Sequence, residues 1–482
     1  MAYNAYLCSL IYQSSYMNNK FKYLALAGVF ICADVSAQIP VLNLDECLRI
    51  ALDESPVIKV ADMEVTRMDY SKKETIGQLL PTIDFGASYN RMLAKQVMYM
   101  NMDFGSFGGG TDQEEPASRA SSSKSDGGIK VGLDNSYTLG FNAALPLISP
   151  QLWKSISISD SQILRSVETA RQSRQNLVNQ VKSAYYALLL ANDSRNVIQE
   201  SYDMAKLTFD TYSKQQSLGA ASEYDVLRTS VAMKNIEPEL MQADVAIRQA
   251  RLQLLILMGL NGDFEFEVSD KLSNYEKTMY EETLNINPDF SNNADLRIMD
   301  IDRKTLKQTV ALNKLAFAPT LALTANYNWT SMSDGNPFRN FRWNPYSSLG
   351  LSLSVPLYHG GQRVNRLKQA KIQLAEIELQ RENLERSIAM QVELAMDNVQ
   401  VNVKQIASCS ESVTQAQKAY DIMVKSFDIG AASYLNLRDS ELSLTRSRLT
   451  YYQAIFNYLI ARSELELLLG SNNEIYSSNS AK

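Results

Sequence analysis

The chain contains two copies of one unit, and this limits its fold more than any other feature. "LPTIDFGASYN" at 80–90 returns as "APTLALTANYN" at 318–328. "TLGFNAALPL" at 138–147 returns as "GLSLSVPLYH" at 350–359, with Pro146 matching Pro356. "SLGAASEYDVLRTS" at 217–230 returns as "DIGAASYLNLRDS" at 428–440, and "LLILMGL" at 254–260 as "LELLLGS" at 465–471. Gly219 and Gly430 stand 211 positions apart, as do Gly259 and Gly470. Each copy reads helix, strand, loop, strand, very long helix, tight Gly turn, helix. Repeat 1 is expected over 38–259 and repeat 2 over 294–470, joined by a polar linker at 260–293 that contains Pro288 and followed by a tail at 471–482.

The long helices follow from what is missing. Between Gln151 and Ser217 there is no Pro or Gly in 67 residues, which at 1.5 Å per residue is about 100 Å of helix. Ile163, Val167, Ala170, Leu177, Val181, Ala184, Leu188, Ala191, Ile198, Tyr202, Ala205, Phe209 and Tyr212 recur at alternating spacings of four and three, interrupted by Arg174 and Arg195. Ile388, Val392, Ala395, Val399, Ile406, Cys409, Val413, Ala416, Tyr420 and Met423 repeat the pattern in the second copy, with Asn402 in its one polar slot. Such a stripe is a coiled-coil seam, and it gives Cys409 the role of a small core residue. Long helices are expected at 151–217 and 361–428, and return helices at 222–258 and 433–469. Pro238 should kink the first return helix.

The strands alternate in polarity. Ile83, Phe85, Ala87 and Tyr89 alternate with Asp84, Gly86, Ser88 and Asn90; Leu349, Leu351, Leu353 and Val355 alternate with Gly350, Ser352 and Ser354. Segments 82–92, 136–145, 320–329 and 347–355 are each about ten residues long, the length that a tilted membrane strand needs. Their polar faces carry Ser, Thr, Asn and Gly and almost no charge. Tyr89, Tyr137, Tyr327, Trp329, Trp343 and Tyr346 lie near strand ends, where an aromatic girdle belongs. Four strands cannot close around a pore, and bare edges are not tolerated in lipid. The expected fold is therefore mainly α with a membrane β-barrel: three chains share a 12-stranded barrel, four strands each, continued by a long α-helical coiled-coil tunnel.

Composition removes other classes. A net charge of −6 does not favour nucleic acid, and a mean hydropathy of −0.22 does not suit a helical membrane bundle. One histidine, His359, and four cysteines, Cys8, Cys32, Cys47 and Cys409, offer no metal or redox motif. Neither catalytic residues nor a cofactor are expected. Residues 1–37 read as a signal peptide with an upstream extension at 1–16: Lys20 and Lys22 precede an apolar run, and Val35-Ser36-Ala37 allows cleavage between Ala37 and Gln38.

Taken in order and spacing, these marks resemble the TolC-like outer-membrane efflux proteins over nearly all of 38–470. Pro146 and Pro356 end strands, Gly360-Gly361 enters the long helix, and Gly219-Ala220-Ala221-Ser222 and Gly430-Ala431-Ala432-Ser433 form the turns. The resemblance implies a homotrimer in the outer membrane of a Gram-negative bacterium, in contact with outer-membrane lipid and with a large periplasmic portion. It also implies a periplasmic adaptor docking at the two turns and an inner-membrane pump of the RND or ABC type. It places the tunnel's closure near those turns, where Asn436 and Asp439 match acidic positions of the family and only Asp439 keeps the carboxylate. Three Asp439 side chains would form a cation-favouring ring. Asp225 matches a latch residue whose basic and tyrosine partners would fall at Ala432 and Phe427, which cannot make those bonds. Arg228 or Arg438 is expected to pair with Asp225 or Asp439 instead.

The function so implied is a passive exit duct for small molecules within a tripartite efflux system. A type I protein-secretion duct is the alternative within the class, and a periplasmic coiled-coil scaffold without a pore the alternative outside it.

Overall fold

The computed structural model describes residues 40–98, 129–276, 288–336 and 342–471. The expected leader with its cleavage point at Ala37 and Gln38, most of the 93–135 loop and the tail beyond 471 lie outside the described residues. The chain divides into two compact units. In the smaller, β1 (Val41–Leu42) pairs in parallel with a strand at Glu267–Val268.

The larger unit is mainly helical. It opens with α1 (Leu44–Glu54), capped by a reciprocal box between Asn43 and Glu46, and α2 (Pro56–Gly77). Strands β2 (Thr82–Arg91), β3 (Gln96–Met98), β4 (Ile129–Val131) and β5 (Asn135–Ile148) follow. Next comes α3 (Pro150–Ser217), 68 residues long, with its proline in the first turn, where a missing N–H costs nothing. After α4 (Glu223–Lys234) and α5 (Glu237–Met258), and the strand β6 at Glu267–Val268 already described, come α6 (Ala294–Leu315), β7 (Thr320–Ser333) and β8 (Asn344–Ser354). Finally α7 (Gln362–Asp428) runs 67 residues and α8 (Tyr434–Leu469) runs 36. Among the described residues no helix is long and apolar enough to cross a membrane.

The first return helix is two helices rather than the one kinked helix expected at 222–258. The chain leaves helical pairing at Asn235 and Ile236, and Pro238 then sits in the first turn of α5. Proline removes one hydrogen bond and crowds the preceding turn, so restarting the helix costs less than bending it.

The helices form rows. Near the sheet, α2 packs on α3, α3 on α6 and α6 on α7. Towards the turns, α4 and α5 pack on α3, α3 on α8 and α8 on α7. In both rows α3 is interior. Its middle is buried on several faces at once, through Leu177, Val181, Tyr185, Leu188 and Leu189. Val167, read as a seam residue, is 47% exposed, and Ser166 beside it is buried. A straight helix drifts about 20° per heptad from a strict seven-residue repeat, and here the buried face has moved by one position.

The four-stranded sheet has the order β2-β5-β7-β8, antiparallel throughout. Its register joins the apolar positions across strands. Phe85 lies opposite Phe141 and Phe141 opposite Tyr327; Ala143 lies opposite Ala325 and Ala325 opposite Leu349. Across strands the Phe85 and Phe141 rings lie 5.0 Å apart, and along β7 the Tyr327 and Trp329 rings lie 4.7 Å apart, both within aromatic contact. The other face aligns Asp84, Asn142, Asn326 and Ser348. Three strands outrun their expected lengths. β5 does not end at Pro146 but runs on to Ile148, with a register shift against β7 between the two residues that absorbs the proline. β8 begins at Asn344, ahead of Pro345, because an edge strand tolerates proline. β7 reaches Ser333 because the buried Asn135 amide donates to the Ser333 and Gly335 carbonyls at 3.2 Å, and its own oxygen accepts from Tyr89 at 2.9 Å.

Candidate functional site: the hairpin turns and the face of the last helix

The two helical hairpins end in the same local structure. Gly219 and Gly430 both have φ of 77°, the left-handed region that a side chain resists and glycine does not. After Gly219, the Ala220 N–H donates to the Gln215 carbonyl at 2.8 Å and the Gly219 N–H to Gln216 at 2.9 Å. After Gly430, Ala431 donates to Ser426 at 2.8 Å and Gly430 to Phe427 at 2.9 Å. Each pair is a Schellman closure of the incoming helix. Ser222 and Ser433 then cap the outgoing helices, accepting from the Asp225 and Asn436 N–H groups at 3.2 and 3.3 Å. A Cβ on either glycine would meet nothing within 4 Å, so both turns present open surface. Ala220 and Ala431 are exposed; Ala221 and Ala432 are half-buried.

The turns are tied together by rings. Tyr212 near the end of α3 lies 5.8 Å from Tyr434 at the start of α8 and 6.3 Å from Phe427 on α7. Arg228 of α4 places its guanidinium 5.1 Å from the centre of the Tyr434 ring, an attractive cation–π distance. Burial raises the Tyr212 phenol above its ordinary pKa, Asp225 adds to that and Arg228 opposes it. Burial likewise raises Tyr434, against the pull of Arg438 and Arg228.

The expected pairing of Arg228 or Arg438 with Asp225 or Asp439 is not what the single chain forms. Ser222 holds Asp225, donating its hydroxyl to Oδ2 at 2.6 Å. Arg228 goes to the Tyr434 ring. Arg438 donates to Glu441 Oε1 at 2.8 Å, and Ser201 of α3 donates to the same oxygen at 3.1 Å. Glu441 is buried, and a buried carboxylate needs such partners. The signals were present in the sequence: Ser222 stands three residues before Asp225, where a cap belongs, and Glu441 stands three after Arg438 on the same helix. Tyr434 and Glu441 were missed because their roles depend on a cross-helix contact, Tyr434 with Arg228 and Glu441 with Ser201, that spacing along one helix does not reveal.

Asn436 and Asp439 are both exposed on α8. Asp439 lines a groove of about 510 Å³ between α7 and α8, with Ser443, Arg446 and Thr450 on α8 and Cys409 and Ser412 on α7. Cys409 is thus a half-buried groove residue and not part of the seam core. Hydroxyls dominate this wall, which suits contact with water.

Comparison with known proteins accords with this geometry. The family described as outer membrane efflux protein matches residues 47–260 and 290–471. The chain is similar to the outer membrane protein TolC of Escherichia coli, 23% identical over 348 residues that cover 67% of this chain and 67% of that protein. It is also similar to the alkaline protease secretion protein AprF of Pseudomonas aeruginosa, 24% identical over 352 residues, covering 70% and 71%. The crystal structure of the CmeC outer membrane channel of Campylobacter jejuni matches with a TM-score of 0.65 at 15% identity, covering 89% of this chain and 85% of that one.

Proposed function

This chain belongs to the outer membrane efflux protein family, and from that premise we propose that it is one subunit of a trimeric outer-membrane channel, the passive exit duct of a tripartite efflux system. The observation that carries the reading is that both layers of the larger unit end openly. Edge strands β2 and β8 are exposed at every position, with Ile83 at 70% and Leu349 at 75%. In the helical rows the end members carry exposed apolar residues: Val60, Met63 and Tyr70 on α2, Leu227, Val231 and Val245 on α4 and α5, and Ile372, Leu379, Leu394 and Val401 on α7. Unpaired strand edges in lipid and bare apolar helix faces in water are both unfavourable. A ring of copies removes both faults together, and three copies of a four-stranded sheet give 12 strands around one bore.

In this reading the sheet's apolar face meets outer-membrane lipid, and the helices stand in the periplasm. The exposed turns Gly219-Ala220-Ala221-Ser222 and Gly430-Ala431-Ala432-Ser433 receive a periplasmic adaptor, which links the duct to an inner-membrane pump. Small residues and open space at each turn support close approach by a partner's helices. Asp439 and Asn436 face the bore near its closed end. The similarity to AprF supports protein cargo as the second reading.

Purified protein is expected to run on gels as a heat-sensitive oligomer and to conduct ions in a planar bilayer. A monomer in detergent that never conducts would remove the channel reading.

A further inference from the structure

We propose that Arg446 is a second charge-selecting residue of the bore, set in series with Asp439, so that the duct admits anionic and zwitterionic cargo that an acidic ring alone would turn away. This rests on the reading above that the Asp439 face of α8 lines the bore.

Asp439, Ser443, Arg446 and Thr450 follow one another at spacings of four, three and four, which puts them on one face of the helix. All four line the same groove. Asp439 and Arg446 are exposed, and among the described residues neither has an ion-pair partner. The arginines beside them are already engaged: Arg438 with Glu441 and Arg448 with Glu200. The wall therefore presents two uncompensated charges of opposite sign, one heptad apart, or about 10 Å along the axis.

Three copies turn these into an anionic ring and a cationic ring. At physiological salt the screening length is about 8 Å, shorter than their separation, so a passing ion meets each ring in turn. The Asp439 ring draws cations and opposes anions, and the Arg446 ring does the reverse. With both in one path, neither sign passes favoured overall.

The test is the reversal potential of the purified channel across a KCl gradient. The wild type is expected to show a potassium-to-chloride permeability ratio within about twofold of one. Arg446→Ala should raise that ratio at least about threefold, Asp439→Ala should lower it by a similar factor, and Arg446→Lys should leave it near the wild-type value. If Asp439→Ala shifts the ratio and Arg446→Ala does not, Arg446 is no selecting residue, while the bore-lining reading stands. Cys409 in the same groove provides an independent check, because Cys47 is fully buried and Cys8 and Cys32 fall in the expected leader, which is cut away in the exported protein. A charged thiol reagent that modifies Cys409 should change the conductance. If modification and both alanine variants leave a conducting channel unaltered, the groove lies outside the bore and both readings of this face fall. A protein that does not conduct at all overturns the inference together with the channel.

Discussion

Tyr185 has no exposed surface, yet its hydroxyl needs a partner, and the chain supplies Asp270 at 2.8 Å. Tyr275 donates to the same Asp270 oxygen at 3.1 Å. Burial pushes both phenols well above their ordinary pKa, with the Asp270 charge adding to it. Burial also pushes the nearby Cys47 thiol up to about 12. All three groups are acids whose folded pKa exceeds the unfolded one, so their contribution is full below the unfolded value and is lost as pH rises through the folded one. Stability should therefore be flat in these groups near neutrality and fall from about pH 9 upward, the thiol first and the phenols above about pH 10. A melting temperature unchanged from pH 8 to 11 would contradict this. Asp270→Ala removes the acceptor of the buried Tyr185 hydroxyl and one acceptor of the half-buried Tyr275 and should cost about 1–3 kcal/mol in urea unfolding, whereas Asp270→Asn keeps an acceptor and should cost about 1 kcal/mol or less.

At the scale of elements, much was legible and the failures have physical causes. The lengths of α3 and α7 follow from the absence of Gly and interior Pro, and the polarity alternation at 82–90 and 348–355 is enough to specify strands. Pro238 and Pro345 were harder, because the effect of proline depends on whether the chain restarts a helix or lies at a sheet edge, and neighbours decide that. The charged contacts at the turns were the least legible. Sequence supplies the charges of Asp225, Arg228, Arg438 and Asp439, but a local cap, a ring and a buried carboxylate took three of them first. The Arg228–Tyr434 contact joins α4 to α8 and so holds one hairpin against the other. Cation–π contacts are worth roughly 0.5–2 kcal/mol, enough to shift the closed state of the proposed channel but not to unfold a helix. Arg228→Ala and Tyr434→Ala should both raise conductance and admit a bulky antibiotic to cells, and Tyr434→Phe, which keeps the ring, should not. Unchanged conductance in Arg228→Ala would show that the contact is only structural.

For the larger unit as a whole, the order of elements along the chain decides which sides stay open. The elements α2, β2, α4 and α5 lie on one flank and β8 and α7 on the other, so in the proposed ring the first flank of one copy and the second flank of the next are the natural neighbours. The two flanks differ in residues, so the proposed contact between copies is head-to-tail and would have to close into a ring or run on as a filament. The proposed barrel, shared between copies, favours the ring. Two neighbouring positions on α7 separate assembly from folding. Val401 is 60% exposed, and Val399, two residues away, is 1% exposed. Val401→Asp places a charge where only a second copy would bury it. It should keep the protomer's helicity but abolish the heat-sensitive oligomer and the conductance. Val399→Asp buries the same charge inside the protomer and should lower helicity and stability by about 3 kcal/mol or more. Equal loss of helicity in both would mean that the stripe is part of the protomer's own core. Intact oligomers in Val401→Asp would mean that this flank faces water in the assembly, and the ring would then have to be held by the sheet edges alone.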